Sequence, residues 1–149
     1  MNLRKTIPRE AISLDLKGRT KVEIIGGLVD LASRTGRIPD RKIALKAVLE
    51  REKKMSTGMH HGLAIPHGKS DIVDSLVASL GIIKTGVDFE SMDGAPSRIF
   101  ILTVSPANRA GPHIQFLAEI SRLFNREDIR NRMLAAETPD QVHQLLTEG

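Results

Sequence analysis

Cysteine, tryptophan and tyrosine are all absent from this chain, and phenylalanine occurs only four times in 149 residues. Without thiols there is no disulfide framework, no cysteine nucleophile and no thiolate metal site, and a reducing cytoplasm is the natural compartment. Scarce aromatics argue against single-stranded nucleic acid, whose bases want exposed rings to stack on. Phe89, Phe100, Phe116 and Phe124 each stand in an apolar pattern instead. No segment approaches the roughly 18 apolar residues that cross a bilayer, and Met1 to Glu10 is too polar for a signal peptide. The chain therefore reads as neither secreted nor embedded in a membrane. The net charge of +4 is dispersed: from Arg122 to Arg132 basic residues alternate with acidic ones, so no nucleic-acid partner is expected.

What is present suits one compact domain spanning residues 1–149, with 40% hydrophobic and 27% charged residues. Thr20-Lys21-Val22-Glu23 is a capping box, after which Val22, Ile25, Leu28, Val29 and Ala32 fall on one helical face until Gly36. Pro39 and Asp40 open a second helix with Ile43, Ala47 and Val48 toward the core, and Lys53 and Lys54 near its carbonyl end. Leu76 to Ile83 and Arg98 to Val104 are strand-length apolar runs, with a short Val87-Asp88-Phe89 alternation and an Asp93-Gly94 turn between them. Pro112 then introduces Phe116, Leu117, Ile120, Leu123 and Phe124 at helical spacing. Asn125 is placed to cap a further helix through Leu134, and Thr138-Pro139-Asp140-Gln141 starts another before Val142, Leu145 and Leu146. Two helices, then strands, then helices imply an α/β (α+β) fold, a small mixed sheet flanked by helices, with no internal repeat.

The richest stretch runs from Ser56 to Gly68. Leu63, Ala64 and Ile65 have the character of a buried strand, Pro66 lacks a backbone donor, and Gly68 tolerates left-handed torsions, so the strand is expected to end at His67 on a turn. One ring nitrogen of a histidine held there can be fixed by a neighbouring carbonyl, leaving the other as an exposed neutral nucleophile.

With Glu52, Ser56, Thr57, Gly58, Met59, Leu63, Ala64, Ile65, Pro66, His67 and Gly68 in place, the chain resembles the fructose/mannitol-type IIA components of the bacterial sugar phosphotransferase system, including their nitrogen-related standalone members. Pro112 to Ile120 matches that family's second histidine helix. His60 departs from a usual small residue, and His61 replaces a common Asn. The resemblance implies a mannitol-type IIA fold with His67 as the phosphorylated nucleophile and Arg51 and His113 beside it. It also implies an HPr-like phosphocarrier as donor and a separate EIIB, or regulatory protein targets, downstream. A phosphoryl group on nitrogen passes through a loose transition state, so positioning and positive donors supply most of the catalysis. Thr57 is a further candidate hydroxyl donor, and a helix opening at Pro112 would aim backbone N–H groups at the same anion.

Rival chemistries fit less well. His60, His61 and His67 offer three imidazoles to zinc, but adjacent ligands in an extended segment point to opposite sides, and metal on His67 would quench the nucleophile. Gly68-Lys69-Ser70 ends like a phosphate-binding loop, yet the glycine that such a loop needs falls at Leu63. No cofactor is expected.

Overall fold

The computed structural model describes residues 1–147. A one-turn helix α1 (Leu3–Thr6) and a 3-10 turn (Arg9–Ala11) lead into β1 (Ile12–Ser13), then α2 (Lys21–Ser33) and α3 (Arg41–Lys54). The strands β2 (Leu63–Ala64), β3 (His67–Lys69), β4 (Val77–Val87) and β5 (Ser97–Ser105) follow, and α4 (Gly111–Phe124), α5 (Glu127–Ala135) and α6 (Pro139–Leu145) close the fold. This is the expected mixed sheet between helices. The elements α1 and β1 escaped sequence reading because they are too short to show a period.

Antiparallel β4 and β5 form the centre of the sheet, with Leu80 opposite Ile101. β1 lies parallel to β4, while β2 and β3 both lie parallel to β5 on its other side. Ala64 stands opposite Phe100 and His67 opposite Thr103, which is one unbroken register. β2 and β3 are thus one edge strand interrupted at Ile65-Pro66, where proline supplies no ladder donor. The Pro66 carbonyl still accepts from the Thr103 N–H at 3.2 Å. The strand therefore does not end at His67, as the Pro and Gly flanks suggested, but resumes there. Gly68 lies inside β3 and is not among the residues with positive φ. Its missing side chain serves packing instead: a Cβ would stand 2.8 Å from the Val48 nitrogen and 2.9 Å from the Ala47 carbonyl carbon of α3.

Alternation along the strands divides the core in two. Leu63, Ile65, Leu80, Ile99 and Ile101 face α4, α5 and α6 through Phe116, Ile120, Met133 and Val142. Ala64, Val77, Phe100, Leu102 and Val104 face α2 and α3 through Ile24, Leu28 and Val48. Where α2 presses on β4, the Ser79 hydroxyl donates to the Leu28 carbonyl at 2.7 Å.

The Thr20–Glu23 capping box forms as read, and Asp40 caps α3 by accepting from the Lys42 and Ile43 N–H groups. Helix faces were less legible. Ile25, Leu28, Val29, Ala32 and Val48 are buried as expected, but Val22 and Ile43 are exposed, and Ile24 and Ala44 complete the inward faces. Ala47 is only half-buried. Asn125 ends α4 and does not begin α5, whose first turn has no side-chain cap and carries Glu127 and Asp128 at its positive end. Thr138 caps α6 by accepting from the Gln141 N–H, but the Gln141 side chain turns to the Glu137 N–H at 2.7 Å, so the box is half made. Val87 ends β4 and Phe89 is buried outside any strand.

His60 and His61 occupy a hairpin tip. The Met59 N–H donates to the Leu63 carbonyl at 2.7 Å, and Gly58 bridges Ala64 in antiparallel fashion. His61 at φ 61° and Gly62 at φ 78° supply the two positive torsions that a primed hairpin turn demands. The His61 N–H is held by the Asp93 carboxylate at 3.0 Å. Asparagine tolerates this torsion better than histidine, so His61→Asn should raise stability by about 0.5–1 kcal/mol in urea unfolding. A neutral or destabilising result would mean that the imidazole holds the tip by contacts of its own.

Candidate active site

The site forms at the open edge of the sheet. Ile65 bonds away from β5: its N–H donates to the Thr57 carbonyl at 3.1 Å, and its own carbonyl accepts from His67 Nδ1 at 3.0 Å. A carbonyl can only accept, so Nδ1 carries the proton and Nε2 keeps its lone pair. The side chain of His67 is half-buried rather than fully exposed.

His113, in the first turn of α4, is 8% exposed. Its ring centroid lies 4.7 Å from that of His67, with the planes tilted by 41°. Its Nδ1 is 3.4 Å from the hydroxyl of Thr103, the residue directly across the ladder from His67. The strand register and the helix start therefore bring the two imidazoles together. Ala110 caps α4 with no side-chain hydrogen bond, so no cap side chain covers the first turn, where His113 sits.

Arg51 arrives from the last turn of α3, reaching the site around the edge of β3. Its Nη1 donates to the Met55 carbonyl at 2.9 Å, which closes the end of the helix. It lines a cavity of about 440 Å³ together with Glu50 and Lys54 of α3, His67 and Lys69 of β3, and His113. Burial is the main force holding the His67 imidazolium below its ordinary range, helped by the Arg51 and Lys69 charges and opposed by the Ile65 bond and Glu52. His113 is pushed down to about 4, again chiefly by burial and then by His67, Lys69 and Arg51. Both rings are neutral at physiological pH.

Thr57 is committed elsewhere. It is buried, its hydroxyl donates to the Glu52 carboxylate and its N–H donates to Glu52 Oε2 at 2.9 Å. It does not line the cavity. Glu52, itself buried, also accepts from Lys21 Nζ at 2.8 Å, and the same ammonium reaches Glu90 at 3.0 Å and sits 4.9 Å from the centre of the Phe89 ring. Burial alone would weaken the Lys21 charge, but these bonds outweigh it and raise its pKa. The cluster ties α2, the end of α3 and the Ser56–Gly58 loop to one another. Sequence reading missed Lys54, Lys69 and Thr103. Lys69 was detectable two residues beyond His67, on the same strand face, and Lys54 one helical turn from Arg51. Thr103 emerges only from the pairing. His60 and His61 lie at the hairpin tip, and among the described residues no three His, Cys, Asp or Glu side chains come together to hold a metal.

A neutral imidazole with one nitrogen tied and the other bare, opening on a cavity bordered by cations, is fitted to hold an anionic group in transit. The fold and this arrangement define the class as a phosphoryl carrier. Residues 5–149 match the family described as "Phosphoenolpyruvate-dependent sugar phosphotransferase system, EIIA 2", and the chain belongs to that family. It is 38% identical to the fructose-specific EIIA component of Haloferax volcanii, over 95% of this chain and 92% of that one. It is 29% identical to a nitrogen regulatory protein of Bradyrhizobium diazoefficiens, over 98% and 95% respectively. The crystal structure of the nitrogen regulatory protein IIA-Ntr from Neisseria meningitidis superposes with a TM-score of 0.89 at 24% identity, covering 97% of this chain and 98% of that one. The chain is accordingly a phosphotransferase component. No helix among the described residues is long and apolar enough to cross a membrane.

Two measurements test the site's construction. Lys21→Met leaves the Glu52 carboxylate buried without its cation and should cost about 2–3 kcal/mol, somewhat under the usual penalty because Lys21 keeps partial access to water. Combining it with Glu52→Gln should recover at least about 1 kcal/mol of that loss in a double-mutant cycle, whereas additive costs would show that the pair is not coupled. For His113, the unfolded chain takes up a proton near pH 6.5 and the folded one only near 4. Stability should therefore be full above about pH 6.5 and fall as pH drops toward 4, because the unfolded state binds more protons there. Thermal unfolding of His113→Gln against pH should show a shallower acid slope than the parent protein.

Proposed function

We propose that His67 is the residue that carries the phosphoryl group, through Nε2, and that Arg51 and His113 stabilise it there. The observation supporting this most directly is the His67 Nδ1 bond to the Ile65 carbonyl at 3.0 Å, which leaves Nε2 as the unprotonated nitrogen. In the forward step the Nε2 lone pair attacks phosphorus, the bond from phosphorus to the donor nitrogen breaks, and that nitrogen keeps the electron pair. Nδ1 retains its proton against Ile65 throughout, so no general base is needed. Arg51 offers fixed charge from one side. His113, neutral at working pH, acts as a hydrogen-bond donor through Nε2 when its Nδ1 accepts from the Thr103 hydroxyl. Positioning and preset electrostatics are what a loose phosphoryl transition state can use.

The donor is an HPr-like phosphocarrier. The group then leaves to an EIIB. The likeness to a fructose-specific component supports a transport relay. The likeness to a nitrogen regulatory protein supports a second use, in which about two negative charges on His67 change which protein binds this face. Both uses depend on the same nucleophile, and both place the protein in the cytoplasm.

Intact mass after incubation with phosphoenolpyruvate, Enzyme I and HPr should show one added phosphoryl group that is lost on brief acid treatment and absent from His67→Ala. Label retained on a folded His67→Ala variant would remove the assignment. His113→Ala should slow single-turnover transfer by roughly ten- to a thousandfold, the effect of losing one anion-stabilising donor.

A further inference from the structure

Thr103 lies wholly buried where the two imidazoles meet. Its backbone N–H donates to the Pro66 carbonyl at 3.2 Å, within the register that sets it opposite His67. Its neighbours Leu102 and Val104 face α2 and α3, so strand alternation turns the Thr103 side chain to the other side of the sheet, toward α4. There Oγ1 lies 3.4 Å from His113 Nδ1, and among the described residues it makes no other hydrogen bond. The His113 ring is neutral at physiological pH, so one of its nitrogens carries a proton and the other a lone pair. Two arrangements of protons fit the contact. With the ring proton on Nδ1, that nitrogen donates to Oγ1, the hydroxyl proton is left buried without an acceptor, and Nε2 carries the lone pair. With the ring proton on Nε2, the hydroxyl donates to Nδ1 and both buried groups are satisfied. A buried donor left unbonded costs free energy, which favours the second arrangement.

We propose that Thr103 is a positioning residue for phosphoryl transfer: its hydroxyl donates to His113 Nδ1 and so holds that ring with its proton on Nε2. The inference rests on the reading of His67 as the phosphoryl acceptor and deepens it by naming the group that sets His113 to donate. The two histidines then hold opposite tautomers. His67 keeps its proton on Nδ1 against the Ile65 carbonyl and bares Nε2, whereas His113 bares Nδ1 to Thr103 and keeps its proton on Nε2. One ring is a nucleophile and its neighbour a donor, and neither changes its proton during the transfer. In the reverse tautomer His113 would turn a second lone pair on the phosphoryl oxygens and oppose the step. A single residue of β5 thus serves both rings, through its backbone on the β3 side and through its side chain on the α4 side.

The test uses the whole protein, labelled with nitrogen-15, at neutral pH. Two-bond proton–nitrogen correlation spectra should show His113 with Nε2 protonated and Nδ1 unprotonated, and His67 with the reverse. The parent spectrum decides the direction of the bond whether or not any variant folds. Thr103→Val keeps the shape of the side chain and the backbone bond to Pro66 and removes the hydroxyl alone. It should move the His113 Nδ1 resonance toward that of an unbonded lone pair and leave the His67 resonances in place. Single-turnover phosphorylation of His67 by phospho-HPr should slow by about three- to thirtyfold at saturating carrier with KM unchanged, less than the loss of the whole ring, because the donor is misaimed rather than absent. Thr103→Ser should restore both the resonance and the rate. A proton on His113 Nδ1 in the parent, a folded Thr103→Val protein that transfers at the parent rate, or a Thr103→Ser protein as slow as Thr103→Val would overturn the proposal while leaving His67 as the acceptor. Failure of the parent protein to take label on His67 would overturn that reading and the proposal with it.

Discussion

One carbonyl fixes the state of the imidazole at the centre of the site. Ile65 lies on an edge strand whose Gly62 and Pro66 carbonyls face β5, so its own C=O points outward with no strand partner to satisfy it, and the ring of His67 takes the place of one. A buried acceptor left alone costs free energy, and the strand settles that cost by fixing an imidazole. The tautomer, and hence the bare Nε2, follows from sheet topology rather than from any dedicated base.

The sheet also explains why three distant segments meet. Its two faces hold separate cores, one closed by α2 and α3 and the other by α4 to α6. A side chain from either core can reach the other only around an edge. β3 is such an edge, and there Arg51 from one side and His113 from the other converge on His67. Burial keeps both rings neutral, in His67 against the pull of Glu52 and in His113 with the cations Lys69 and Arg51 acting in the same direction. The Glu52 cluster works at the root of this arrangement, fastening the end of α3 that carries Arg51 to the loop that leads into the strand.

Sequence reading succeeded where the determinants are local. The Thr20–Glu23 box, the Asp40 cap, the proline near the start of α4 and the long apolar runs of β4 and β5 each declare themselves within a few residues, and the mixed sheet followed from their order. It failed where tertiary pairing decides. Val22 and Ile43 fit an apolar stripe as well as their neighbours do, and only packing against the sheet shows which stripe turns inward. Asn125 is as good a helix end as a helix start. His67 was read at the end of its strand because Pro66 and Gly68 look like punctuation, whereas β5 carries the register past both. Thr57 looked available to the site until Glu52, five residues earlier, was found to absorb its hydroxyl. His67, His113 and Arg51 could be named from sequence, but their meeting depends on a ladder and a helix approach that no local pattern encodes.

The two nearest atoms that a side chain at Gly68 would strike belong to the backbone of α3, so trimming the Val48 side chain would not make room. No change to a neighbouring side chain moves that backbone, so a substitution here has no ready compensation nearby. The surrounding core can exchange one apolar residue for another, but the spacing between the strand of His67 and the helix of Arg51 leaves no room for a side chain at this position.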